Sequence, residues 1–241
     1  MTGPDRRRFL ITSGALLGAG AALPAIARPG HHVDLALVLA ADCSGSVSSD
    51  DYTLQQEGYA DAFRRPEVVK AIRSGINGAI AACYFQWSGY DLHNLIVPWS
   101  ILRGDDSIAT FATALQHAER RLNSGGTAPG GAIAFGRRLL NATPAPALRQ
   151  VIDISGDGRT NTGPPPDPDR EAALASGITI NGLPIENQEP QLEEYYREHI
   201  IGGPGAFLVP ARDFTAFREA IRRKLVQEIA GLHTGDSSRF G

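Results

Sequence analysis

Apolar and polar positions along this chain follow two rhythms that take turns. Residues 33–41, VDLALVLAA, are a continuous run of apolar residues but for Asp34, set between turn formers, which predicts a strand buried on both faces. The rhythm of 49–75 is helical, with Tyr52, Tyr59, Phe63, Val69 and Ile72 expected to face inward and Pro66 expected to bend or split the helix. Residues 79–87 and 93–102 predict two more strands. The SGYD link between them is too short for a parallel return, so the pair is expected to be antiparallel, and Pro98 marks the second as an edge strand. Asp106 or Ser107 is the expected cap of a helix whose inner face carries Phe111, Leu115, Ala118 and Leu122. NSGGTAPGG then breaks the pattern, and a helix is expected from about Ala132 to Ala142. A strand in LRQVIDISGDG, a short helix in PPPDPDREAALASG, strands in ITINGLPI and AFLVP, and a last helix from near Asp213 complete the chain. That helix is expected to bury Phe214, Phe217, Ile221 and Leu225.

Strands alternating with helices predict an α/β fold, an open doubly wound and mostly parallel six-stranded sheet with helices on both faces. Ligands of such sheets sit beyond the carboxyl ends of the strands. The polar clusters at 42–46 and 155–161 each follow a strand directly, and loop 123–131 precedes a helix. Three loops from distant parts of the chain are therefore expected to meet at one end of the sheet.

The first 27 residues fall outside this pattern. They have a basic start (Arg6 to Arg8), an apolar middle and a small-residue end at Ala25 and Ala27. RRRFL resembles the core of a twin-arginine export signal through Arg6, Arg7, Phe9 and Leu10. The expected organisation is an export signal over 1–27, one domain over 28–232 and a C-terminal tail over 233–241, with the product periplasmic or secreted. The apolar part is shorter than the roughly 20 residues a span needs, so no stable membrane span is expected once the signal is removed. Three arginines and one aspartate leave with it, which takes the formal charge from −3 to −5. No basic stripe is left to neutralise phosphates, and a nucleic-acid partner is not expected. Cys43 and Cys83 stay open between a disulfide and two small buried hydrophobes.

The chemistry concentrates in the three loops. Leaving a strand, Asp42, Ser44 and Ser46 alternate toward one side, and Gly45 lets the chain turn between the serines. Thr127 in GGTAPGG offers a third hydroxyl, and Asp157 in SGDGRTN a second carboxylate. An all-oxygen shell of hard donors with only two carboxylates suits Mg²⁺, with Mn²⁺ or Ca²⁺ as the other candidates, rather than Zn²⁺. Taken singly, the serines also read as helix caps and Asp157 as a turn former.

DCSGSVS at 42–48 resembles the D-x-S-x-S element of von Willebrand factor A-type domains, which builds their metal-ion-dependent adhesion site. SGGTAPGGAI at 124–133 resembles the loop that carries the threonine ligand, and ISGDGRTN at 154–161 the turn that carries the last aspartate. Gly156 departs from that pattern, standing where a serine or threonine is common. CYFQWSG and NGLPI make the chain similar, more narrowly, to a bacterial group of exported A-type proteins of unknown function (DUF1194-like). The resemblance implies strand order 3-2-1-4-5-6 with strand 3 antiparallel, and metal ligation by Asp42, Ser44, Ser46, Thr127 and Asp157. It also implies divalent-cation-dependent binding of a protein partner that offers an Asp or Glu carboxylate.

The alternative function is a Mg²⁺-dependent hydrolase working from the same site on phosphoesters or similar substrates. The chain has no G-x-S-x-G elbow, no H-E-x-x-H and no G-x-G-x-x-G after the first strand. Arg159 stands beside the metal loop either to steer an acidic ligand or to pair with a surface acid. Asn161 is expected to tie that loop together through its amide. Tyr195 and Tyr196 are expected to pack their helix against the sheet, with a partner surface as the other reading.

Overall fold

The computed structural model describes residues 32–231. The expected export segment and the C-terminal tail lie outside the described residues. The elements run β1 (Val33–Asp42), α1 (Ser49–Arg64), α2 (Pro66–Arg73), β2 (Ile80–Trp87), β3 (His93–Leu102), α3 (Asp105–Gln116), α4 (Pro129–Asn141), β4 (Ala147–Gly156), α5 (Asp167–Ala175), β5 (Thr179–Pro184), α6 (Leu192–Tyr195) and α7 (Phe214–Ala230). A wide π-helical turn, Tyr196–Ile200, extends α6.

The sheet has five strands in the order β3-β2-β1-β4-β5. Only β3 is antiparallel, on the edge beside β2, as the short link requires. The central strand β1 is buried on both faces. Leu35, Leu37, Leu39 and Ala41 face the layer of α1, α2, α3 and α7, while Ala36, Val38 and Ala40 face α4, α5 and α6. This continuous burial explains why VDLALVLAA carries no polar alternation. Cys43 joins the first layer and Cys83 the second, on opposite faces of the sheet, so both are free buried thiols and no disulfide links them.

The expected sixth strand is not a strand. Residues 206–211 do run alongside β5, in isolated bridges Gly182↔Leu208 and Ile185↔Ala211. Gly182 N–H donates to Phe207 O (3.1 Å) and Gly182 O accepts from Val209 N (3.0 Å). Pro184 O accepts from Ala211 N (2.9 Å), and Glu186 N–H donates to Ala211 O (2.8 Å). The bond missing from this parallel register is the one Pro184 would donate, because proline has no N–H.

Three smaller expectations also shift. Pro66 does split the helical stretch, and the break at Arg65 turns Val68 rather than Val69 fully into the core. Helix α3 begins at Asp105 behind Gly104, not at a cap on Asp106 or Ser107. The Ser107 hydroxyl reaches back to accept from Arg103 N (3.0 Å) and Gly104 N (3.1 Å). It ends at Gln116, so Ala118 and Leu122 pack from the following loop. Helix α4 starts at Pro129, a residue suited to a first turn because its missing N–H is unneeded there. Helix α7 buries Phe214, Phe217, Ile221 and Leu225 as expected. It also buries Lys224, whose Nζ lies 2.6 Å from Asp153 Oδ1 and 3.3 Å from Glu228 Oε1 in the core. Among the described residues no helix is long and apolar enough to cross a membrane.

Candidate metal site

Strands β1 and β4 are parallel neighbours, with Ala41 opposite Ser155. Sheet order reverses between them, since β1 leads outward to β2 while β4 leads to β5 on the other side. In open sheets of this kind, ligands sit at such a switch point, beyond the carboxyl ends of the strands. Asp42 ends β1, and Asp157 directly follows β4. The strand ends themselves are fixed by a buried polar network. Gln55 Nε2 donates to Asp42 O (3.0 Å), Ser155 Oγ donates to Gln55 Oε1 (3.1 Å), and Tyr59 Oη lies 2.9 Å from Ser155 Oγ.

The proposed donors converge. Ser44 N–H donates to Asp42 Oδ1 (2.7 Å), which folds the loop back onto its own carboxylate. The Ser44 and Ser46 hydroxyls lie 3.1 Å apart, and Ser46 Oγ donates to Asp157 Oδ1 (2.7 Å) across 111 residues of chain. Gly45 N–H donates to Gly125 O (3.1 Å), which pins this loop to the threonine loop, and Gly125 takes a φ of +101° that favours glycine. Thr127 is buried on the third loop. Asn161 holds it to the aspartate loop, accepting from Thr127 N through Oδ1 (2.7 Å) and donating its own N–H to Thr127 O (3.0 Å). A Cβ placed on Gly158 would sit 3.5 Å from Thr127 Oγ1, which puts that hydroxyl beside the Asp157 turn. Ser48 belongs to the helix instead: its Oγ accepts from Asp51 N (3.1 Å) in the capping box of α1.

The electrostatics of this cluster are unbalanced. Asp42 and Asp157 are both buried, and Oδ2 of each has no hydrogen-bond partner among the described residues. Burial, and then the neighbouring Asp157, pushes the Asp42 carboxyl up to about 7. Burial also raises Asp157. Two buried carboxylates side by side are unfavourable unless a proton or a cation stands between them. Three hydroxyls and two carboxylates make an oxygen-only set suited to a hard divalent ion. Among the described residues no three His, Cys, Asp or Glu side chains gather into a metal-binding group, so charge at this site stays low.

Sequence reasoning missed several groups that shape the site. Arg120 braces the first loop from behind, donating from Nη2 to Val47 O (2.7 Å) and Ser44 O (3.3 Å). Gln55 could have been noticed, because it shares the inward helical face of Tyr52 and Tyr59 and is polar. Arg159 pairs with Glu189, Nε to Oε1 at 2.6 Å, which answers the choice between steering and surface pairing in favour of the pair. Tyr195 is half-buried over the metal loop, its Oη 2.8 Å from Thr160 Oγ1 and 3.2 Å from Thr160 N. Tyr196 is fully buried against the sheet.

The family model described as protein of unknown function (DUF1194) matches residues 32–233. No curated protein matches the chain. Among solved structures, proximal thread matrix protein 1 from the mussel byssus, with a zinc-occupied MIDAS motif, superposes with a TM-score of 0.62 at 19% identity, over 83% of this chain and 48% of that one. A von Willebrand factor type A protein from Catenulispora acidiphila superposes at 0.60 and 17% identity, over 82% and 43%. The pilus adhesin SpaC from Lactobacillus rhamnosus GG superposes at 0.60 and 14% identity, over 83% and 31%. The chain spans less than half the length of each of these three proteins. The cluster lies at the switch point of a sheet shared with these structures, and the chain belongs to the DUF1194 family and has the von Willebrand factor A fold.

Proposed function

We propose that this domain binds one divalent cation, Mg²⁺ in the first instance, through Asp42, Ser44, Ser46, Thr127 and Asp157, and uses it to hold an acidic side chain of a protein partner. The observation that carries the reading is the pair of buried, unpartnered oxygens, Asp42 Oδ2 and Asp157 Oδ2, among clustered hydroxyls at the sheet's switch point. Bound there, a divalent cation supplies a positive centre that two carboxylates neutralise only formally, so that a further carboxylate from outside gains by coordinating it. The chain's own groups do the rest. Ser44 N–H fixes one oxygen of Asp42, Ser46 fixes one of Asp157, and Asn161 holds the Thr127 loop in place. Binding of this kind needs no bond to break. The zinc-occupied MIDAS motif of the byssus protein and the adhesin SpaC support the reading by analogy of fold. The export-like start of the chain supports a partner in the periplasm or outside the cell.

The test is capture from an envelope extract on the immobilised domain, in Mg²⁺ and in EDTA. The expected result is a protein retained in Mg²⁺, released by EDTA and not retained by Asp42→Ala. Capture that persists in EDTA contradicts the reading, and Mg²⁺-dependent ester or phosphoester turnover lost in Asp42→Ala replaces it with the hydrolase.

A further inference from the structure

Beneath the cluster the sheet makes room for one side chain from far along the sequence. A Cβ on Gly156 would lie 2.8 Å from Tyr196 Oη, 2.9 Å from Asp42 Oδ2 and 3.0 Å from Trp87 Cζ2. A Cβ on Gly182, on the next strand, would lie 2.8 Å from Tyr196 Cδ1. Any other residue at either position would collide with this one tyrosine. The ring thus passes over Gly182, and its hydroxyl ends over Gly156, beside Asp42. The backbone is arranged to the same end. Tyr196 opens the π-helical turn, its carbonyl accepting from Ile201 N five residues on (2.9 Å). Such turns are rare and are frequent at functional sites.

The Tyr196 hydroxyl is fully buried and has no hydrogen-bond partner among the described residues. A buried phenol normally finds one. Burial pushes its pKa well above the usual tyrosine value, so it stays protonated and can donate. Asp42 Oδ1 is already taken by Ser44 N–H, whereas Asp42 Oδ2 is free and close to the same point above Gly156.

We infer that Tyr196 is a positioning residue of the metal site, its hydroxyl donating to Asp42 Oδ2 directly or through one water and so fixing the carboxylate that faces the cation. Its hydroxyl occupies the space that a side chain on Gly156 would otherwise fill. The inference rests on the reading that Asp42 and Asp157 hold a divalent cation.

Calorimetric titration of Mg²⁺ into metal-stripped protein tests it, with Tyr196→Phe against Tyr84→Phe. Tyr84 also has a buried, unpartnered hydroxyl, but it belongs to the opposite core layer. Loss of the Tyr196 oxygen is expected to weaken Mg²⁺ binding about 10-fold, the scale for groups that orient a ligand, with Tyr84→Phe unchanged. Mg²⁺ addition is also expected to perturb tyrosine absorption in the wild type, and this difference spectrum should vanish in Tyr196→Phe. Binding within twofold of wild type in Tyr196→Phe, while Asp42→Ala loses it, overturns the role of Tyr196 alone. Wild-type protein that binds no Mg²⁺ overturns this inference together with the site it rests on.

Discussion

Asp42→Ala is expected to weaken Mg²⁺ binding by at least about 100-fold while the domain stays folded, because it removes a proposed ligand rather than a group behind one. The second half of this expectation follows from burial. Without a cation Asp42 is a desolvated carboxyl beside another, and burial, then Asp157, pushes its pKa up to about 7 from the 3.8 of an ordinary aspartate. Between about pH 4 and pH 7 the folded chain retains a proton that the unfolded chain has released. Stability from this group is therefore full at low pH and is lost as pH rises through that window, by on the order of 3–4 kcal/mol. Asp42→Asn keeps the acceptor for Ser44 N–H and cannot ionise. In EDTA, its stability relative to wild type should thus grow from pH 4 to pH 8. Urea unfolding at the two pH values measures the difference, and a difference independent of pH contradicts the account of Asp42.

Lys224→Met is expected to be the most destabilising substitution in α7. The ammonium is fully buried against Asp153, also fully buried, and Glu228, at 2% exposure. Asn181 Nδ2 donates to the same Glu228 oxygen (2.7 Å). Burial raises the Asp153 carboxyl and the adjacent Lys224 ammonium opposes that shift, so the two buried carboxyl groups depend on one cation. Removing the ammonium strands that pair in the core, at a cost of about 3–5 kcal/mol. For a domain of this size the melting temperature should fall by roughly 6–20 °C. Glu228→Gln removes one of the competing carboxylates and keeps an acceptor, so it should cost far less. A Lys224→Met melting temperature within 2 °C of wild type, about 1 kcal/mol or less, would show that α7 is held by its apolar face alone.

Much of this architecture was legible because single residues carry strong backbone rules. The almost wholly apolar run 33–41 gave a central strand, the five-residue link before His93 gave its antiparallel edge, and Pro66 gave the division of the first helix. The misreadings have equally local causes. Once the helix breaks at Arg65, the inward face slips by one residue from Val69 to Val68. The sixth strand fails at Pro184, and that matters only when Pro184 is known to face Val209 and Ala211. At the site, Asp42, Ser44, Ser46, Thr127 and Asp157 could be nominated because short loops carry all of them, and the fold brings four of them into a hydrogen-bonded chain. Thr127 joins through Asn161, whose amide role was also visible in the sequence. Arg120 was not visible, and Tyr196 was legible only as a residue packing its helix against the sheet. Their reach to the site depends on distances across the sheet, which no local pattern carries.

The most direct measurement of the central claim is anomalous diffraction from crystals of the domain soaked in Mn²⁺, which stands in for Mg²⁺ at an all-oxygen site. The account predicts one strong peak among the side-chain oxygens of Asp42, Ser44, Ser46, Thr127 and Asp157, absent from crystals of Asp42→Ala. A peak elsewhere on the molecule, or one that survives the substitution, would contradict it.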